Sequence, residues 1–508
     1  MATDRWTRQF RAAVALFLVV LGARLMLVGH AGSHLPLWDQ WFGEFAPIVA
    51  VDAQRPVRVS DLAIPHNEHF VLFPRLMTLG LLKVGGRWEP KDELVVSALV
   101  RAAGLAAVFL LLGRGRSASE GAVLLVLLAG LGALPVGVFN LLSGFQVQFF
   151  LGEPLAVVAL FLLCSAPLTL DRLSLGGLAL LIGLFNMATP LLAAATAALL
   201  LGLRALRGES PRTNLMAASF LGTVALWAYW SSRSRALSSL AAHDVAQFVG
   251  ALTRLWAWPF PEAPVLALLV PVPLLLLLRR MWRADPQDRA FWFILSLTIL
   301  GLLQDVATAS ARALGGGQLA QYTDGIWFRL IVGFLGLAQA LSPSSPAATR
   351  AQVPRGAAVW ACFVAAAMLA DSFLRGVPEM IAIRSAAETR LPLMARALET
   401  GDFQTFEAEN QVILEGLSRV DLRFFTDPTL RFAIPSRFIT DLRRLREPLL
   451  RRMPAALVGL APGGISVALQ GLVGLGPVIL LVGLVAMVMA LRRSKDDSPG
   501  RLSASLPH

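Results

Sequence analysis

An all-α, polytopic membrane protein of about twelve spans is the fold class this sequence predicts. Three observations predict it. The 508 residues are 56% hydrophobic and only 15% charged, with a mean hydropathy of +0.65. A water-soluble chain of this length cannot hide that much apolar surface, so lipid must be the solvent for much of it. Apolar runs near the ~20 residues needed to cross a bilayer recur along the chain. The formal charge of +12 comes mostly from Arg placed beside those runs, as the positive-inside bias requires. No basic stretch is interleaved with aromatics in a nucleic-acid pattern, so that class of partner is excluded.

The runs lie at 13–30, 93–113, 119–139, 149–166, 173–188, 190–204, 213–230, 263–280, 290–306, 326–341, 356–371 and 467–491. The first follows Arg5, Arg8 and Arg11. The residues after it, His30-Ala-Gly-Ser-His34, make a poor small-residue cleavage site, so it reads as an uncleaved span rather than a signal peptide. The runs at 173–188 and 190–204 are short and meet at Pro190. Cys164 and Cys362 both fall inside apolar runs, which argues against a disulfide framework.

Residues 70–84 decide the topology. They are apolar, but 15 residues span roughly 22 Å at 1.5 Å per residue, short of a ~30 Å hydrocarbon core. They also contain Pro74, Arg75 and Lys83. The segment therefore reads as a helix lying in the interface. With the N-terminus inside, the inner ends then collect Arg114/Arg116, Arg204/Arg207/Arg212, Arg279/Arg280/Arg283, Arg350/Arg355 and Arg492/Arg493/Lys495. If 70–84 crossed, all of these would move outside, against the bias. Three longer segments are expected outside: 30–92, 231–262 and 372–466. The chain divides into a transmembrane module over 1–371, an exported and mostly helical segment over 372–466, a last span over 467–491 and a cytoplasmic tail over 492–508. Both termini are expected in the cytoplasm.

The first outer loop holds the densest chemistry. It reads Pro36-Leu-Trp38-Asp39-Gln-Trp41, then Glu44, Pro65-His66-Asn67-Glu68-His69 and Pro74-Arg75, and it carries four of the six histidines. Trp38 and Trp41 offer faces on which a sugar can stack, and such rings favour the interface. Asp39 between them is either a general base for an acceptor hydroxyl or amine, or the cap of a short helix. Glu44 is a second carboxylate or a solvated one. His66 and His69 would share one face of a helical turn. Together with Asp39 they could hold a divalent cation, bind substrate directly, or simply open the interfacial helix. Arg75 suits a phosphate oxygen at headgroup depth, or is an ordinary snorkelling Arg.

Several ionisable or polar groups fall at or within the runs: Arg24, Arg101, Gln146, Gln148, Glu153, Gln304, Asp305, Asp324 and Arg329. Such groups are costly in lipid and turn towards a bundle interior or cavity. Glu153, Asp305, Tyr322, Asp324 and Arg329 fall near the predicted outer ends, so a cavity roofed by 30–92 would collect them. The chain has no phosphate-loop motif, no dinucleotide glycine fingerprint and no Gly-x-Ser-x-Gly elbow, so soluble nucleotide-sugar or ATP chemistry is not supported.

One span, a large outer loop opening on Trp38-Asp39, an interfacial helix and then many spans together resemble the GT-C superfamily of integral-membrane glycosyltransferases. The nearest likeness is to bacterial multi-pass proteins with a Trp-Asp-x-Trp, His-Asn-Glu-His and Pro-Arg-Leu first loop. Protein O-mannosyltransferases and aminoarabinose transferases are more distant. The motif match covers residues 36–76, with weaker likeness at Ser143-Gly-Phe-Gln-Val-Gln148 and Tyr322-Thr-Asp324. The resemblance implies transfer of a sugar from a polyprenyl-phosphate donor to a lipid, glycan or protein acceptor. The transfer would occur on the outer face of a bacterial inner membrane, with Asp39 as base. Gln40 stands where many relatives carry a second acid, so that acid would be Glu44 or Glu68, or be absent. Trp38, Trp41, His66, Asn67, Glu68, His69, Arg75, Gln146, Glu153, Tyr322, Asp324 and Arg329 would line the substrate site, with Arg75 or Arg329 holding the phosphate. No cofactor is required, and a divalent metal at His66, His69 and Asp39 stays open. The rival readings are a transporter or flippase of lipid-linked sugars, and an envelope polysaccharide polymerase or ligase.

Overall fold

The computed structural model describes residues 2–33, 36–37, 39–52, 55–66, 69–85, 88–232, 240–315, 321–342, 353–386 and 464–496. Among them the regular elements are all helical. The chain begins with α1 (Ala2–Ala31), a π helix (Trp41–Val49), α2 (Leu72–Gly85), α3 (Pro90–Leu112) and α4 (Ala118–Ala133). It continues through α5 (Val147–Cys164), α6 (Leu170–Leu184), α7 (Thr189–Leu206), α8 (Pro211–Ser232) and α9 (Val245–Ala257). It closes with α10 (Val272–Met281), α11 (Arg289–Arg312), α12 (Thr323–Leu341), α13 (Arg355–Asp371) and α14 (Gly464–Asp496).

Nine helices among the described residues are long and apolar enough to cross a membrane, so the protein is membrane-embedded. Each of the twelve apolar runs overlaps a helix. α4, α6 and α8 stand outside the nine, the first two because they have only 16 and 15 residues. Between α6 and α7 the chain turns tightly at 185–188, and Pro190 sits in the first turn of α7, where its missing N–H has no cost. Gly183 lies directly against the Pro190 ring, so a side chain there would force the two helices apart.

Lipid is as apolar as a leucine side chain, so these helices associate by close packing rather than by escaping water. α1 and α14 run antiparallel on glycines: Gly22 meets Leu480, Gly476 meets Met26 and Gly483 meets Val19. A Cβ at Gly476 would stand 3.0 Å from the Met26 nitrogen. α12 passes through the centre, with Trp327 and Phe334 fully buried.

The helix ends segregate chemically. Arg116 Nη1 donates to Gln339 Oε1 at 3.1 Å, Gln339 Nε2 to Asp288 Oδ2 at 3.1 Å, and Arg204 pairs with Glu209 at 2.7 Å. Gln9 Nε2 reaches the Leu110 carbonyl at 2.9 Å, which puts the start of α1 at this same basic end. The first loop covers the opposite end.

α2 falls close to the predicted 70–84 and is 14 residues long, about 21 Å, so it cannot cross. Its first-turn donors are met by the α6–α7 turn: Leu72 N–H reaches the Phe185 carbonyl and Phe73 N–H reaches Asn186 Oδ1, both at 2.8 Å. Lys83 pairs with Asp52 at 2.7 Å and pins the far end of α2 to the π-helix side of the loop.

Past residue 371 the helix continues through a π turn over Ser372–Gly376 and on to Ala386, within the segment expected to be mostly helical. The continuation is held by packing: Gly376 abuts the Pro135 carbonyl, and Ile383 is buried with Leu37, Leu141 and Leu142. The rest of that segment, up to 463, lies outside the described residues, as do Trp38, Asn67, Glu68 and the side chain of Trp41. One expectation needs correction: His66 and His69 form no helical turn. They exchange backbone hydrogen bonds at 2.7 and 3.0 Å, the pairing of two residues facing each other across an antiparallel ladder.

Candidate functional site

Asp39 sits in the turn that starts the π helix. Its carbonyl accepts from Gly43 N–H at 2.6 Å, and Gln40 closes the turn by accepting from Leu37 N–H at 3.0 Å through Oε1. The Asp39 side chain is 31% exposed and stands 3.6 Å from His66 Nε2. His66 meets the Phe145 ring edge-on at 5.0 Å, and the Phe145 ring also fills the space over Gly43. An acid with solvent access and a histidine partner is what a general base needs. The described residues contain no group of three His, Cys, Asp or Glu that could hold a metal ion, so Asp39, His66 and His69 do not assemble a metal centre here.

Glu44 lies outside the role expected for it. It is fully buried and faces Glu93, a residue of α3 that sequence reasoning passes over. The Glu93 carboxylate accepts from Thr78 Oγ1 at 2.6 Å, Trp88 Nε1 at 2.7 Å and Gln40 Nε2 at 2.8 Å. It thereby ties together the π-helix turn, α2 and α3. Burial pushes the Glu44 carboxyl well above the ordinary carboxylate range, and the neighbouring Glu93 charge pushes it further. Two carboxyls in one dry space cannot both ionise, so the pair holds a proton. With no solvent access, Glu44 cannot act on a substrate in this arrangement. The visible signal for Glu93 is an ionisable residue four positions into the α3 helix.

Arg75 also differs from its expected role. It is 1% exposed. Nε donates to the Gly43 carbonyl at 2.9 Å, and Nη1 to the carbonyls of Leu62 at 3.1 Å, Phe70 at 3.4 Å and Ile64. Burial lowers it to about 10, with Glu44 opposing the shift. Its donors clamp the first loop and are not directed at a phosphate.

Arg329 is likewise committed, to Asp305 at 2.7 Å. Trp256 Nε1 adds a bond to the same carboxylate at 2.9 Å, which fastens α9 to the bundle. Gly301 leaves the room that the Arg329 stem occupies.

A different set of long-range partners converges beneath the loop. Arg101 Nη2 pairs with Asp324 Oδ1 at 2.6 Å, and Nη1 lies 3.5 Å from Glu153 Oε2. Asn140 Nδ2 donates to Asp324 Oδ2 at 3.0 Å and to the Gln321 carbonyl at 2.7 Å. Gly137 has φ +64°, and a Cβ there would stand 3.3 Å from Asp324 Oδ2, so glycine is needed both for the left-handed turn and for the approach. Arg24 and Arg101 both lie against the Phe150 ring, 5.5 and 4.8 Å from its centroid. Arg24 Nε donates to the Gly132 carbonyl at 2.6 Å. Tyr322, just before α12, meets Phe149 edge-on at 6.2 Å.

Many of these buried groups have no hydrogen-bond partner among the described residues. They include Arg24 Nη1 and Nη2, Arg101 Nε, both polar atoms of Gln146, Gln148 Oε1 and Glu153 Oε1. Each unsatisfied buried group costs about 1–3 kcal/mol, and such concentrations mark a place for water or a polar ligand. Gln146, Glu153 and Asp324 are expected at the site from sequence; Arg24, Arg101 and Asn140 complete it. The Ser143–Gln148 segment joins the two halves. Gly144 packs on Glu93 and Gln40, Phe145 touches His66, and Gln146 leads into α5, which carries Phe150 and Glu153. Against protein-family models, curated proteins and solved structures, the chain finds no match.

Proposed function

We propose that this protein is a membrane glycosyltransferase that moves a sugar from a polyprenyl-phosphate donor to an envelope acceptor on the outer face of a bacterial inner membrane. In this reading the chain crosses twelve times, with α4, α6 and α8 as the shorter or more polar spans. Both termini are cytoplasmic, which puts the basic end of the bundle inside as the charge bias requires. The observation that carries the reading is a partly exposed Asp39 together with a buried arginine cluster, in which Arg24 Nη1 and Nη2 have no hydrogen-bond partner among the described residues.

Asp39 takes the proton from the acceptor hydroxyl or amine as that atom attacks the anomeric carbon. The bond from that carbon to the phosphate oxygen breaks, and the carbon inverts. The phosphate leaves carrying negative charge, and Arg24, with the Arg101 Nε beside it, receives that charge. Donors fixed in a dry site are worth far more to a developing anion than the same donors in water. His66 orients the Asp39 carboxylate, and the polyprenyl tail lies between spans in lipid. The acceptor is a lipid, glycan or protein.

The ion pairs of Arg101 and Arg329 lie within helices of crossing length, and this favours a second reading as a transporter of lipid-linked sugars. Transfer from radiolabelled polyprenyl-phosphate sugars in membranes separates the two. Covalent incorporation that disappears in Asp39→Asn supports the enzyme. Movement of donor between leaflets without incorporation supports the transporter.

A further inference from the structure

A second site lies at the opposite, basic end of the bundle. A cleft of about 980 Å³ opens there between the start of α1, the end of α3, the start of α4 and the end of α14. Its wall is apolar, formed by Phe10, Val14, Leu125 and Met489. Phe10, Val14 and Met489 are 48%, 41% and 53% exposed, so no part of the described chain fills it. Arg8 and Arg11 line it, with Arg116 buried behind them on Gln339. Arg8 and Arg11 are three residues apart on α1, and both are exposed, so they share a face. Gln9 bonds the Leu110 carbonyl and fixes the α1–α3 floor. The acid at the start of α4, Glu120, is buried and accepts from the Ser117 N–H at 3.0 Å.

We infer that this cleft binds an anionic glycerophospholipid, with an acyl chain along the α4–α14 wall and the phosphate headgroup at the arginines. Two features argue for a lipid over a soluble anion. The wall is apolar, and it is built from the outer faces of helix ends, Phe10 and Val14 of α1 and Met489 of α14, with Leu125 of α4. Charge decides the lipid class: a basic rim at headgroup depth attracts an anionic head. Gly121 on α4 lines the cleft, and a Cβ there would meet nothing within 4 Å, so the wall has space for a chain. The site is independent of the transfer chemistry proposed above.

Native mass spectrometry of the full-length protein tests it, with phosphatidylglycerol and phosphatidylcholine titrated in parallel. Each basic residue near a headgroup contributes about 1 kcal/mol, or roughly fivefold. The paired substitution R8Q/R11Q is therefore expected to reduce the preference for phosphatidylglycerol by about 5- to 25-fold. Gly121→Phe is expected to lower the number of retained lipids of both kinds while leaving the arginines in place. Equal binding of the two lipids by wild type, or an unchanged preference in R8Q/R11Q, overturns the site. An unchanged lipid count in Gly121→Phe overturns the acyl-chain placement.

Discussion

Replacing Glu93 by Ala should loosen the whole first loop, because three buried donors converge on that one carboxylate. Gln40 Nε2, Thr78 Oγ1 and Trp88 Nε1 would each lose an acceptor now held at 2.6–2.8 Å. A buried donor left unpaired costs about 1–3 kcal/mol, and the three together set an expected loss of about 4 kcal/mol after partial relaxation. Glu93→Gln keeps one carbonyl oxygen for Thr78 and Trp88 and should lose about 1–2 kcal/mol. Glu44→Gln removes the second acid without removing an acceptor from those donors, and should be close to neutral at low pH. Apparent unfolding midpoints of the detergent-solubilised full chain, taken at a fixed heating rate, give the order: Glu93→Ala far below Glu93→Gln, with Glu44→Gln near wild type. A Glu93→Ala midpoint equal to wild type, or a Glu44→Gln loss as large as that of Glu93→Ala, would refute the reasoning.

The same pair sets a pH dependence. The folded-state value of Glu44 is raised, so its neutral form contributes stability that is complete below the ordinary carboxylate range. That contribution is lost as pH rises through the raised value; Glu44→Gln should flatten this alkaline loss in a midpoint-against-pH series, and an unchanged slope counts against it. Arg75→Ala should cost about 3–5 kcal/mol, since it strips buried carbonyls of a charged donor, and Arg75→Lys should not restore it because one ammonium cannot reproduce the fork. Protease protection of residues 55–70 reads this loss directly. Arg24→Gln should lower the transfer rate about 10²–10³-fold at a stability cost of about 1–3 kcal/mol, because Nε gives up its bond to the Gly132 carbonyl while the two ends of the fork have none to lose among the described residues. A folded Arg24→Gln protein with full activity removes Arg24 from the phosphate site.

Much of the architecture is legible in the sequence because lipid imposes a length rule. The twelve apolar runs all find helices, and 70–84 reads as interfacial because 15 residues are too short to cross. The chemistry is less legible, for identifiable reasons. Arg75 looks like a phosphate ligand beside a headgroup, and its actual partners are carbonyls that exist only once 43–70 has folded back on it. Glu93 escapes notice because it sits inside a run whose average hydropathy reads as a span. Arg101 and Asp324 are 223 residues apart, and no local pattern connects them, although each is individually conspicuous as a charge in lipid. The His66–His69 spacing matches both a helical turn and a two-residue hairpin, and spacing alone does not distinguish them. Asp39 is conspicuous in the sequence between two tryptophans, and it is part-exposed beside His66.

Sugar transfer by Asp39→Asn is the measurement to make first. Membranes carrying wild type or the variant at equal, correctly inserted levels are supplied with a panel of radiolabelled polyprenyl-phosphate sugars. Label should enter a lipid, glycan or protein product with wild type and fall to background with Asp39→Asn. Full incorporation by Asp39→Asn would contradict Asp39 as the base, and no incorporation from any donor by wild type would contradict the transferase itself.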